Sequence, residues 1–161
     1  MIEDQTLRWL VPQTDCDRLG LSAIRHQKTS ALLLPRSGTQ MTEQVHKHNP
    51  DAEYFFHERC WILESWNDAK DDAVSIARAR VEVGVTTKPH RLEGVVERYL
   101  IVQGTGIVTI GDLEPERMNP GDVAVVPSGI SQQICNDGPI DLVFYCICTP
   151  RFIPACYESL E

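Results

Sequence analysis

Three observations predict an all-β barrel or sandwich built as a single domain. From residue 55 onward, short runs rich in β-branched and aromatic residues alternate with turn signals. One of those runs, VSIARARVEVG (74–84), alternates side chain by side chain. The chain has 161 residues, enough for one domain that buries roughly 68–70% of the surface its unfolded form exposes.

The elements follow in order. Residues 1–54 read as an N-terminal arm and residues 55–161 as the barrel domain. In the arm, CDRLGLSAIRHQ (16–27) has a helical spacing, and ALLLP (31–35) is an apolar run stopped by proline. SGTQMTEQVHKHNPDAE (37–53) is polar and reads as a loop. ERCWILESW (58–66) is strand-like, and NDAKDD supplies a turn. In the next strand Ala77, Ala79, Val81 and Val83 share one face, and Ile76, Arg78, Arg80 and Glu82 the other. VVERYLIVQ (95–103) and IVTI (107–110) flank a turn at Gly104–Gly106. In NPGD (119–122), proline then glycine suits the central positions of a type II turn. VAVVP, SQQIC and DLVFYCICT complete the set. Strands this short and this evenly spaced point to a closed or two-layered β architecture.

Composition narrows the function. The net charge of -8 argues against nucleic-acid binding, which needs a basic face. A small anionic ligand stays possible wherever a few arginines gather. The N-terminal MIEDQTLRWLV lacks the basic start and apolar core of a signal peptide, and no apolar run nears the ~20 residues that span a bilayer. The expected compartment is the cytoplasm. Cysteines stand at 16, 60, 135, 146, 148 and 156 without a CxxC pair, so they are expected to be reduced and mostly buried. No phosphate-binding glycine loop and no Gly-x-Ser-x-Gly elbow occurs.

The polar positions carry a pattern. Gly84 is followed after five residues by His90, then by Leu92, after four more by Glu97, and after six by Gly104. Gly121 is followed after five residues by Pro127-Ser128-Gly129, after two by Gln132, and after three by Asn136. These spacings resemble the two motifs of the cupin superfamily over about residues 75–150. The resemblance implies a double-stranded β-helix, a jelly-roll barrel, with a ligand site inside. In the family, two histidines and the glutamate of the first motif bind a divalent metal together with the histidine of the second. The matching positions here are His90, Leu92, Glu97 and Gln132. Leucine offers no donor and glutamine only a neutral oxygen, so a divalent metal on His90, Glu97 and Gln132 would be weakly held.

Strand parity puts Val95, Glu97, Tyr99 and Ile101 on one face, which in cupins is the interior. His90, Glu97, Tyr99 and Gln132 are then expected to converge on an apolar pocket walled by Leu92 and Ile101. Glu97 and His90 are the candidate catalytic residues; Tyr99 and Gln132 are candidates for binding. Arg78 and Arg80 share a strand face, and a partly buried arginine pair needs an anionic partner, either a glutamate or a ligand. His46 and His48 sit in the arm and would complete the ligand set only if it folds over the barrel mouth.

Three functions follow. ERYLIVQGTGIV (97–108) is similar to a strand–turn–strand of cupin-type mannose-6-phosphate isomerases, which implies a sugar-phosphate isomerase. The lost ligand positions favour a non-catalytic binding or sensing cupin with a degenerate metal site. A metal-dependent dioxygenase is the third, with Leu92 and Gln132 against it. Apolar residues on both faces of several strands suggest a homodimer.

Overall fold

The structure is a computed structural model that describes residues 41–161. Most of the expected arm lies outside the described residues, and with it the helical spacing at 16–27, the ALLLP run and Cys16. Residues 41–49 are exposed and irregular, and a single 3-10 turn, Pro50–Ala52, leads into the barrel.

Among the described residues eleven strands form two antiparallel sheets. They are β1 (Tyr54–Phe56), β2 (Cys60–Trp66), β3 (Ser75–Val81), β4 (His90–Leu92), β5 (Val96–Gln103), β6 (Gly106–Ile110), β7 (Glu116–Met118), β8 (Val123–Val126), β9 (Gln132–Cys135), β10 (Leu142–Thr149) and β11 (Tyr157–Ser159). One sheet runs β1-β2-β3-β10-β5-β8 and the other β11-β4-β9-β6-β7. The chain crosses repeatedly between the two sheets, so most sequence neighbours β3 to β6 do not pair with one another.

Period-two patterning decides what lies between the sheets. On β5, Glu97, Tyr99 and Ile101 point inward and are buried, while Val102 on the other face is exposed. Ala79, Val81, Ile134, Leu142 and Phe144 join Tyr99 and Ile101 in one core. Each fully buried large apolar side chain there contributes about 1.5–3 kcal/mol. Asn136, a buried polar side chain of this layer, is satisfied at both ends of its amide. The Asn136 amide donates to the carbonyls of Val81 and Ile140, both at 2.9 Å, and its oxygen accepts from Gly138 N at 3.0 Å. The expected turn at 119–122 is present. Asp122 N donates to Asn119 O at 3.0 Å, and Gly121 has φ 96°, a region that costs a side-chain-bearing residue strain.

Some boundaries differ from expectation. The strand expected over 58–66 begins only at Cys60. Arg59 takes φ 68° in a turn that donates its N–H to Phe56 O at 3.0 Å, and this folds β1 back on β2. Val83 is exposed rather than facing inward with Ala79 and Val81, because β3 ends at Val81 and the chain turns at Gly84, φ 76°. The three-residue strands β1, β4, β7 and β11 were too short for alternation to reveal.

Candidate active site

The inward faces of β2, β3, β4, β5 and β10 enclose a cavity of about 90 Å³ at one end of the barrel. His90, Leu92, Glu97 and Tyr99 line it. So do Glu58, in the turn between β1 and β2, and Cys60, Cys146 and Cys148. Position on the strands explains the convergence. Cys148 on β10 and Val126 on β8 stand opposite Glu97 on β5, and Gln132 on β9 stands opposite His90 on β4.

Glu97 is held at both oxygens. Gln132 Nε2 donates to its Oε2 at 2.6 Å, and Cys148 Sγ lies 3.7 Å from its Oε1. Gln132 is thus tied to the cavity's carboxyl but stands outside the lining. Its own Oε1 is buried without a donor among the described residues. His90 Nδ1 lies 3.1 Å from the Lys88 carbonyl, which makes Nδ1 the protonated nitrogen. Nε2 then presents a lone pair to Glu58 Oε1, 3.6 Å away. The Tyr157 ring stacks on the imidazole at 5.3 Å and 26°, and its hydroxyl, directed at Glu58, is buried without a close hydrogen bond among the described residues.

Burial sets the protonation states. Loss of water, and then the charge of Glu97, pushes the Glu58 carboxyl up to about 8. Loss of water raises the Glu97 carboxyl too, against the opposing Gln132 hydrogen bond. The same burial lowers His90. Both members of the Glu58–His90 contact therefore favour their neutral forms at neutral pH. Burial first, and neighbouring carboxylates second, raise the thiols of Cys60, Cys146 and Cys148, so they stay protonated and are poor nucleophiles. All five described cysteines are unpaired.

Other expected residues lie elsewhere. Ile101 belongs to the core and does not wall the cavity. Arg78 and Arg80 do not reach it, because β3 sends Ala77 and Ala79 inward and the arginines outward. There the pair clamps Glu53, at 3.0 Å from Arg78 and 2.7 Å from Arg80, and Arg80 also meets Asp141 at 3.0 Å. The anionic partner is thus a glutamate of the chain, not a ligand. His46 sits against Trp66 at 6.3 Å, in a shallow depression with Glu64, and His48 is exposed; neither lines the cavity.

The donor set does not fit the family's divalent metal. Leu92 has no donor, Gln132 turns its amide nitrogen to Glu97, and both Glu97 oxygens already have partners. Among the described residues no three of His, Cys, Asp and Glu gather closely enough to hold one ion.

Glu58 and the thiols were not singled out from the sequence. Glu58 precedes a residue with positive φ in a hairpin turn, where no periodicity assigns a direction. The thiols were legible in principle, since alternation along β10 puts Phe144, Cys146 and Cys148 on one face.

Fold and site together define a barrel protein with a small-molecule cavity inside its double-stranded β-helix. Residues 77–148 match the family model described as Cupin domain. No curated protein matches. Solved structures agree in fold. A conserved double-stranded β-helix protein from Klebsiella pneumoniae is 13% identical with TM-score 0.60, over 73% of this chain and 99% of that one. A protein described as a predicted oxalate decarboxylase from Thermotoga maritima is 26% identical with TM-score 0.52, over 56% of this chain and 80% of its own. A nucleoside dehydratase from Streptomyces is 15% identical with TM-score 0.60, over 73% and 92%. No described helix is long and apolar enough to cross a membrane.

Proposed function

We propose that the cavity is the active site of a small-molecule enzyme of isomerase type that works by acid–base chemistry on a hydroxycarbonyl compound. One observation carries this reading: Glu58, His90 and Glu97 line a single, largely apolar cavity. A protonated Glu58 is a general acid, and His90 Nε2, with its lone pair free, is a general base. Glu58 gives its proton to the substrate carbonyl oxygen while His90 takes one from the adjoining carbon, which leaves an enediol. The imidazolium then protonates the former carbonyl carbon, and the Glu58 carboxylate recovers a proton from the other hydroxyl. No net charge or proton is lost over the cycle. The Glu58 carboxylate, 3.6 Å from His90 Nε2, steadies the imidazolium in between.

The sugar-phosphate form of this reading loses support. A phosphate needs a cation beside it, and no lysine or arginine lines the cavity. The substrate class is therefore an unphosphorylated compact molecule. A non-catalytic binding cupin is the second reading, favoured by Leu92 in a ligand position of the family motif.

The test is deuterium uptake from D₂O by a panel of small hydroxycarbonyl compounds, followed by NMR. The wild type is expected to exchange a carbon-bound proton in at least one, and Glu58→Gln to slow this about 10²-fold or more while remaining folded. Binding without exchange across the panel supports the second reading instead.

A further inference from the structure

We infer that the cavity selects a small organic cation, a ligand carrying an alkylammonium group. The inference rests on the reading of this cavity as the ligand site, but not on turnover there.

Charge is the first argument. The chain has 15 lysines and arginines, and none lines the cavity, whereas Glu58, Glu64 and Glu97 do. Arg78 and Arg80 on β3, beside the lining residues Ala77 and Ala79, are turned outward and taken up by Glu53. Buried acids normally sit beside a positive partner. Glu97 has only an amide and a thiol, and Glu58 faces a neutral imidazole. An entering cation supplies a counter-charge to Glu97 and Glu64 and draws Glu58, neutral in the empty cavity, towards its carboxylate, whereas an entering anion meets no positive group.

The second argument is the wall. Tyr54, Phe56, Trp66 and Phe152, from two strands and the segment after β10, line the cavity. Aromatic faces are electron-rich, and several around one space hold an alkylated ammonium well while giving an anion nothing. Trp66 is fixed in orientation by its Nε1–H bond to Asp71 at 2.8 Å. Glu64 stands exposed beside Trp66, at the rim. Size agrees: about 90 Å³ is small against the ~300 Å³ at the low end for drug-sized ligands, so a compact head group suits it.

Three probes of one shape and different charge test this: choline, 3,3-dimethylbutan-1-ol and 3,3-dimethylbutanoate, each titrated calorimetrically. Choline is expected to bind about tenfold or more tighter than the neutral alcohol, and the carboxylate not at all. Glu64→Gln, checked for folding by circular dichroism, is expected to weaken choline by a few-fold and leave the alcohol unchanged. Equal binding of choline and the alcohol, tighter binding of the carboxylate, or no binding of choline overturns the inference. Choline has no carbonyl to enolise, so the outcomes separate. Choline binding without any deuterium exchange sinks only the isomerase reading. Exchange without choline binding sinks only the cation selectivity.

Discussion

Glu58 is the residue whose environment does most to set the chemistry, and its effect on stability has a definite sign. Its folded pKa lies above the ordinary carboxylate value of 4.5, at about 8. Below 4.5 both folded and unfolded chains carry the proton, and its stabilising contribution is fully present. Between 4.5 and about 8 only the folded chain keeps it, so stability falls as pH rises through that window, by on the order of a few kcal/mol. His90 works the other way: its lowered pKa costs stability as pH falls below its ordinary value. Glu58→Gln removes the first effect only. Urea unfolding at pH 5 and pH 8 is expected to show a smaller loss in the variant than in the wild type, and an equal loss would contradict the burial argument. At Leu92 the expectation concerns metal. Leu92→His restores an imidazole beside His90 on the same strand face and is expected to raise zinc retention after dialysis, measured by elemental analysis. Tight one-to-one zinc in the wild type would contradict the misfit of these donors. His90, Glu97 and Gln132 were legible as neighbours because motif spacing locates them, and strand parity adds the inward direction of Glu97. Glu58 was not, because a turn residue's direction depends on tertiary packing.

Whole elements were legible in proportion to their length. β3 and β5 have seven and eight residues and show alternation, whereas β1, β4 and β11 have three and take their place only by pairing. Two glycines separate packing from backbone strain. A Cβ on Gly106 would meet the Cys135 carbonyl at 2.6 Å and Leu142 Cδ2 at 2.7 Å, where β6, β9 and β10 come together. At Gly121 a Cβ meets nothing, and only the positive φ of 96° resists substitution. Gly106→Ala is therefore expected to cost about 2–3 kcal/mol, near the upper range for overpacking, and Gly121→Ala about 1–2 kcal/mol. Denaturant titration of both variants checks the order; a larger loss at Gly121 would contradict the packing at Gly106.

At the scale of the molecule, the barrel has one face without cover among the described residues. Val102 on β5 and Val123 and Val125 on β8 are 43%, 54% and 51% exposed, on the outer side of the six-stranded sheet. We propose that a second copy of the chain packs there. Light scattering of the full chain is expected to give the dimer mass, and Val123→Lys with Val125→Lys the monomer mass; a wild-type monomer would contradict it. All of this surrounds one claim, that the barrel interior holds an acid kept protonated at neutral pH by burial. NMR of the ¹³C-labelled glutamate carboxyls, with Glu58→Gln used for assignment, measures it directly. The expected Glu58 midpoint is about 8. A midpoint in the ordinary carboxylate range, about 4–5, would leave the site without its acid and contradict the account.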